Sequence, residues 1–249
     1  MIPRALRVTV PLLLAIAACG GHAAPEVDAK YALPPEPAGA PSNALSAGEV
    51  RQGWQLLFNG TNTDGWRGWR MDSMPAGWQV AGGTLTHAAP ATDIITAGSF
   101  RNFDLKVDWK TTQEGHGGIY YRADEKSATI AESAPELEVL SDSLQGDKGS
   151  PYNGAAAVTG LYSTRSAPLE PSGRWNHAEI IVKGRHVEQW LNGAKVLEYV
   201  LESPNWVDRV RRSGFARWPA YGRSLTGPIG LAGIGTGVEY ANVKIRVLP

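Results

Sequence analysis

The chain has 249 residues, with 24 Lys and Arg against 24 Asp and Glu. That balance supplies no general field toward nucleic acid, and a single cysteine excludes both an internal disulfide and a Cys-based zinc site. Nine tryptophans offer flat apolar surface with one polar N–H each, which suits a sandwich core and a sugar ring equally.

The N-terminus reads as an export signal. Arg4 and Arg7 precede an uncharged run from Val8 to Ala18. At about eleven residues the run falls short of the roughly 20 that span a bilayer and fits the apolar region of a secretory signal. It closes on Ile16-Ala17-Ala18-Cys19, which resembles the bacterial lipobox, with the lone thiol where lipidation needs it. Residues 1–19 are expected to be a lipoprotein signal peptide; the bland alternative is an ordinary cleaved signal. Gly20 in place of Asp implies, by resemblance to sorted lipoproteins, an outer-membrane anchor facing the periplasm or the cell surface. Residues 20–45 are rich in Ala and Pro and read as a flexible tether. Residues 46–249 remain for one domain.

Within that domain, Ser46 is placed to cap a short helical turn over Ala47–Gln52. Short strands fit Trp78–Val80, Thr84–Thr86 and Asp93–Thr96. Over Asn102–Lys110 the residues Phe103, Leu105, Val107 and Trp109 alternate with Asp104, Lys106, Asp108 and Lys110, a strand with one buried and one wet face. Strands Ile119–Arg122 and Glu136–Leu140 follow. The run from His177 leads through Ile180, Ile181 and Val182 into a tight turn at Lys183-Gly184-Arg185. Val187–Leu191 then meets Asn192-Gly193, the strongest short hairpin signal, and Lys195–Tyr199 completes a meander. Pro204–Arg212 reads as a helix, with Pro near its start and Gly214 just past its end. Val238–Leu248 closes the chain as a strand, with Val243, Ile245 and Val247 on one side. Many short strands between Gly-rich turns predict an all-β sandwich or jelly roll with one short helical insertion.

Several stretches together resemble one family. Gly53-Trp54-Gln55-Leu56-Leu57-Phe58-Asn59-Gly60 followed by Asp64-Gly65-Trp66 is similar to the opening signature of the 3-keto-disaccharide hydrolase domain. Trp78-Gln79-Val80 with Gly83-Thr84-Leu85 matches its next hairpin. Gly117 to Arg122, Pro135 to Leu140, Trp175-Asn176 through Trp190-Leu191-Asn192-Gly193, Ser203 to Trp206 and Gly227 to Leu231 follow in order. The resemblance implies a concanavalin A-like jelly-roll β-sandwich that acts on glycosides already oxidised at sugar C3, with a sugar 3-dehydrogenase as functional partner. Two places depart from the family pattern. His116-Gly117-Gly118 stands where Asn-Ser-Gly is usual, and Ala232-Gly233-Ile234-Gly235 where Gln-Asp-His-Gly is usual. The second departure removes polar groups from an expected wall of the cleft.

The chemistry-bearing residues cluster in two strands. In an extended chain Glu136 and Glu138 point to one face, about 7 Å apart at Cα, and Asp142 joins them if the strand continues. Close carboxylates on a sheet can hold different pKa values, one as base and one as acid; a solvated strand face is the plain alternative. Tyr120 and Arg122 share a face of the neighbouring strand as donors to sugar hydroxyls or an enolate, and His116 precedes them as a candidate acid. Arg165 and, in the basic-aromatic segment Asn205–Arg223, Trp218 are further candidates to bind substrate. Glu136, Glu138 and Asp142 also offer oxygen ligands to a divalent cation such as calcium, although no metal motif is present. The expected substrate is a carbohydrate, with no nucleic acid partner and membrane contact only through the lipid on Cys19. The expected activity is cleavage of a 3-keto-glycoside by elimination and hydration. The rival readings are a non-catalytic carbohydrate-binding module and a retaining glucanase-like glycosidase, which needs its carboxyls about 5–5.5 Å apart.

Overall fold

The computed structural model describes residues 42–144, 154–164, 167–234 and 237–249. Thirteen strands and two α-helices follow one another as α1 (Ala47–Arg51), β1 (Trp54–Leu56), β2 (Trp66–Gly68), β3 (Trp78–Ala81), β4 (Thr84–His87), β5 (Ile94–Thr96), β6 (Phe103–Thr111), β7 (His116–Tyr121) and β8 (Glu136–Leu140), then β9 (Asn176–Lys183), β10 (His186–Leu191), β11 (Ala194–Val200), α2 (Pro204–Arg212), β12 (Ile229–Ile234) and β13 (Val238–Val247). Two antiparallel sheets face each other. One has eight strands, β11-β10-β9-β6-β13-β4-β3 with β1 added beside β13; the other has five, β2-β5-β12-β7-β8. This is the concanavalin A-like jelly-roll sandwich with its short helical insertion.

Local chemistry accounts for much of the framework. Ser46 and Glu49 form a reciprocal capping box on α1. Asn192 and Gly193 both take positive φ, 48° and 81°, the pair that a tight β10–β11 hairpin requires. Along β6 the odd positions enter the core and the even ones, Asp104 to Lys110, line the outward face. β13 begins with Val238 and Tyr240 inward, then bulges between Ala241 and Lys244, with Asn242 at φ 48°. The extra residue changes the parity, so Val243 and Ile245 also point into the core. Asn43, ahead of the expected domain start, is already docked on the sandwich: its side chain donates to the Gly83 carbonyl and accepts from the Asn242 amide.

Three strands carry no strong local pattern. β1 and β2 are three residues long, and β12 reads Ile-Gly-Leu-Ala-Gly-Ile. β12 nevertheless lies at the centre of the five-stranded sheet, bonded to β5 on one side and β7 on the other.

Candidate functional site

Leu137 and Val139 of β8 enter the core, which turns Glu136 and Glu138 to the outer face of the five-stranded sheet. The partner strand β7 sets Tyr120 opposite Glu136, Gly118 opposite Glu138 and His116 opposite Leu140. Because Ile119 and Tyr121 belong to the core, His116, Gly118 and Tyr120 share the outward face with the glutamates. On the other side of β7, β12 places Ala232 beside Gly118 and Gly230 beside Tyr120. The floor under the acids is therefore made of small side chains. Gly118 is required there: a Cβ at that position would overlap the Glu136 carboxyl.

The two glutamates have different surroundings. Glu138 is 2% exposed. Its Oε1 stands 3.3 Å from His116 Nε2, and its Oε2 has no hydrogen-bond partner among the described residues. Glu136 has no ion-pair partner among them. Burial, and then the neighbouring charge of Glu138, push its pKa up to about 8, against the opposing effect of the Tyr120 and Thr159 hydroxyls. Glu136 thus carries its proton at neutral pH. Burial likewise raises Asp93, just ahead of β5, to about 6, and its charge is felt at both Glu136 and Tyr120. The Tyr120 phenol, raised well above its ordinary value by burial and by Glu136, remains a donor. One face therefore assembles a protonated carboxyl, a carboxylate–imidazole pair and a phenol.

His116, Tyr120, Glu136 and Glu138 are brought together; the other sequence candidates are not. The strand ends at Tyr121, and Arg122 takes left-handed backbone at φ 55°. Its guanidinium is buried and donates to the carbonyls of Arg101 and Gly184, so it holds the β9–β10 turn instead of facing the acids. The period-two argument fails at Arg122 because the backbone leaves the pleat one residue earlier. Asp142 departs for the same reason. β8 stops at Leu140, and Asp142 opens a 3₁₀ turn where it accepts from the backbone N–H and hydroxyl of Ser172. The expected cation set of Glu136, Glu138 and Asp142 does not form. Trp218 sits on the insertion after α2, its ring 5.7 Å from Phe215 and under the Arg217 guanidinium. Arg165 and Cys19 lie outside the described residues.

Sequence reading missed Asp93 and Thr159, and placed Tyr221 only among the aromatics of the Asn205–Arg223 insertion, as part of a cleft-side lid; all three act on the site from other segments. Asp93 reads only as the start of a short strand, and no local pattern links any of the three to β8. The altered family motif on β12 also finds its reason in packing. Gly233 lies against the buried His87 imidazole, which a Cβ would overlap.

A potential cation-binding cluster exists elsewhere. On the outward face of the eight-stranded sheet, His186, Glu188 and Glu198 each bring a ligand atom within 4.8 Å of the others. Lys195 already pairs with Glu198 at 2.5 Å, so an ion there competes with an ammonium group.

The family model of the 3-keto-alpha-glucoside-1,2-lyase-like domain matches residues 53–246. The chain is 29% identical over 228 residues to a 3-keto-disaccharide hydrolase of Bacteroides thetaiotaomicron, covering 79% of each protein. A solved structure described as a glycosyl hydrolase from Parabacteroides distasonis superposes with a TM-score of 0.77 at 31% identity, covering 83% of this chain and 99% of that one. A second from the same organism gives 0.60 at 25% identity, covering 78% of this chain and 99% of that one.

Proposed function

We propose that this chain, which belongs to the 3-keto-alpha-glucoside-1,2-lyase-like domain family, cleaves 3-keto-disaccharides by elimination followed by hydration. Membership and likeness to a named hydrolase make it an enzyme acting on glycosidic bonds. The observation that carries the finer reading is the split between a proton-loaded Glu136 and the Glu138–His116 pair across the Gly118 floor.

The roles follow from this split. A ketone at C3 acidifies the hydrogen at C2. Glu138 holds a proton on His116 Nε2, which leaves Nδ1 to accept the C2 proton. Tyr120 donates to the C3 oxygen as the enolate develops. The enolate then expels the C1 substituent, whose oxygen takes the Glu136 proton, and a C1=C2 double bond conjugated to the ketone remains. For hydration, the Glu136 carboxylate removes a proton from water as its oxygen adds to C1, and His116 returns a proton to C2. The net reaction is hydrolysis, with both side chains restored. The sequence reading takes Glu136 or Glu138 as the base and His116 as the acid; in this scheme Glu136 is the acid and His116 with Glu138 the base.

Cation binding is assigned to His186, Glu188 and Glu198, whose imidazole suits a transition metal better than calcium, and turnover is expected to be insensitive to chelator. The Arg4 to Cys19 signal supports an exported protein lipid-anchored to the outer membrane. Its substrate has to come from an oxidation at sugar C3, the chemistry of a sugar 3-dehydrogenase.

Turnover of a 3-keto-disaccharide in deuterium oxide tests the scheme. The expected product carries deuterium at C2 beyond the level of an enzyme-free control, while the unoxidised parent sugar is not cut. Cleavage without added deuterium at C2, or equal cleavage of the parent, would sink the elimination reading.

A further inference from the structure

A concavity of about 240 Å³ lies between α2 and the segment that follows it. The rings of Trp218 and Tyr221 form two of its walls, and Val207, 49% exposed, leaves an apolar side chain of α2 open beside them. Its polar edge is basic. Arg211 and Arg223 both line it, and the Arg217 guanidinium lies 4.4 Å from the Trp218 ring. The one carboxylate in the lining, Glu202, is held by Arg185. Arg211 is engaged with Asp208 on the exposed side of the helix. Arg223 makes no side-chain hydrogen bond or ion pair among the described residues.

We propose that this groove binds a carboxylate-bearing sugar ring, a uronic acid residue. The apolar face of a pyranose stacks on an indole such as Trp218. A guanidinium fork matches a carboxylate through two parallel N–H···O bonds, so Arg223 selects the acid over its neutral parent. The volume lies below the ~300–1,000 Å³ of pockets for drug-sized ligands, which suits one ring.

The protein is titrated with glucuronate and, separately, with glucose, following tryptophan fluorescence. Glucuronate is expected to bind, with glucose at least roughly tenfold weaker. Arg223→Gln brings glucuronate down to the level of glucose, and Arg212→Gln, on the outward side of α2, serves as the charge control and changes neither. Equal binding of the two sugars, or glucuronate binding that survives Arg223→Gln, overturns the proposal.

Discussion

On the eight-stranded sheet the outward carboxylates meet cations. On the sheet itself Asp104 pairs with Arg246, Glu179 with Lys106 and Glu239 with Lys110; Asp108 meets the His177 imidazole, and Lys244 is paired with Glu49 of α1. On the β7–β8 half of the five-stranded sheet, the glutamates have only His116 within ion-pair distance among the described residues. Like residue types in like strands therefore have different electrostatics. Where a cation stands opposite, a carboxylate stays charged and closes a surface. Where burial and a second carboxylate stand opposite, as at Glu136, it keeps its proton, which is the proton the proposed mechanism spends. The paired sheet approaches the second condition at one point. Burial and Asp104 raise Glu179 to about 7 in spite of Lys106 and Arg246, which shows how narrow the margin is once water is excluded.

The contrast can be broken most directly at the glutamates. Glu136→Gln and Glu138→Gln are each expected to lower kcat on a 3-keto-disaccharide by about 10²-fold or more, the range of a lost general acid or base. Glu239→Gln, on the paired sheet, is expected to leave kcat in the wild-type range, and an equal loss there would erase the distinction between the faces. The reverse experiment is Arg246→Met, which strips the cation from Asp104, 3% exposed. It is expected to cost about 3 kcal/mol in urea unfolding with turnover retained.

A finer cut falls on the floor of the site. Gly118→Ala adds one methyl group under the Glu136 carboxyl, and a displacement of about 1 Å there is expected to cost on the order of a hundredfold in kcat. A melting temperature held near wild type would tie the loss to the site. A last effect is thermodynamic. Glu136 has a folded pKa of about 8 against an ordinary value of 4.5, so the folded state holds the proton more tightly between those values. Its contribution to stability is present below the lower value and is lost as pH rises toward the upper one. Glu136→Gln removes that loss, so its melting temperature relative to wild type should rise between pH 5 and pH 8. A flat difference would mean that Glu136 is ionised at neutral pH and that the acid has been misassigned.

The sequence by itself determined the elements that obey a local rule. The alternation along β6, the Asn192-Gly193 hairpin, the Ser46 cap and the Pro204 start of α2 each follow from near-neighbour sterics or hydrogen bonding. The shared face of Glu136 and Glu138 was legible too, because period two fixes it inside a strand. Tertiary structure decided the rest. Glycine-rich β12 is a strand because β5 and β7 supply its partners. Arg122 and Asp142 left the site because the strands end just before them, and strand ends depend on what the neighbouring chain can pair. Asp93, Thr159 and Tyr221 entered it from distant segments. The proton that the proposed mechanism places on Glu136 is tertiary for the same reason: a pKa is set by burial and nearby charge, which are properties of position in space that no spacing along the chain records.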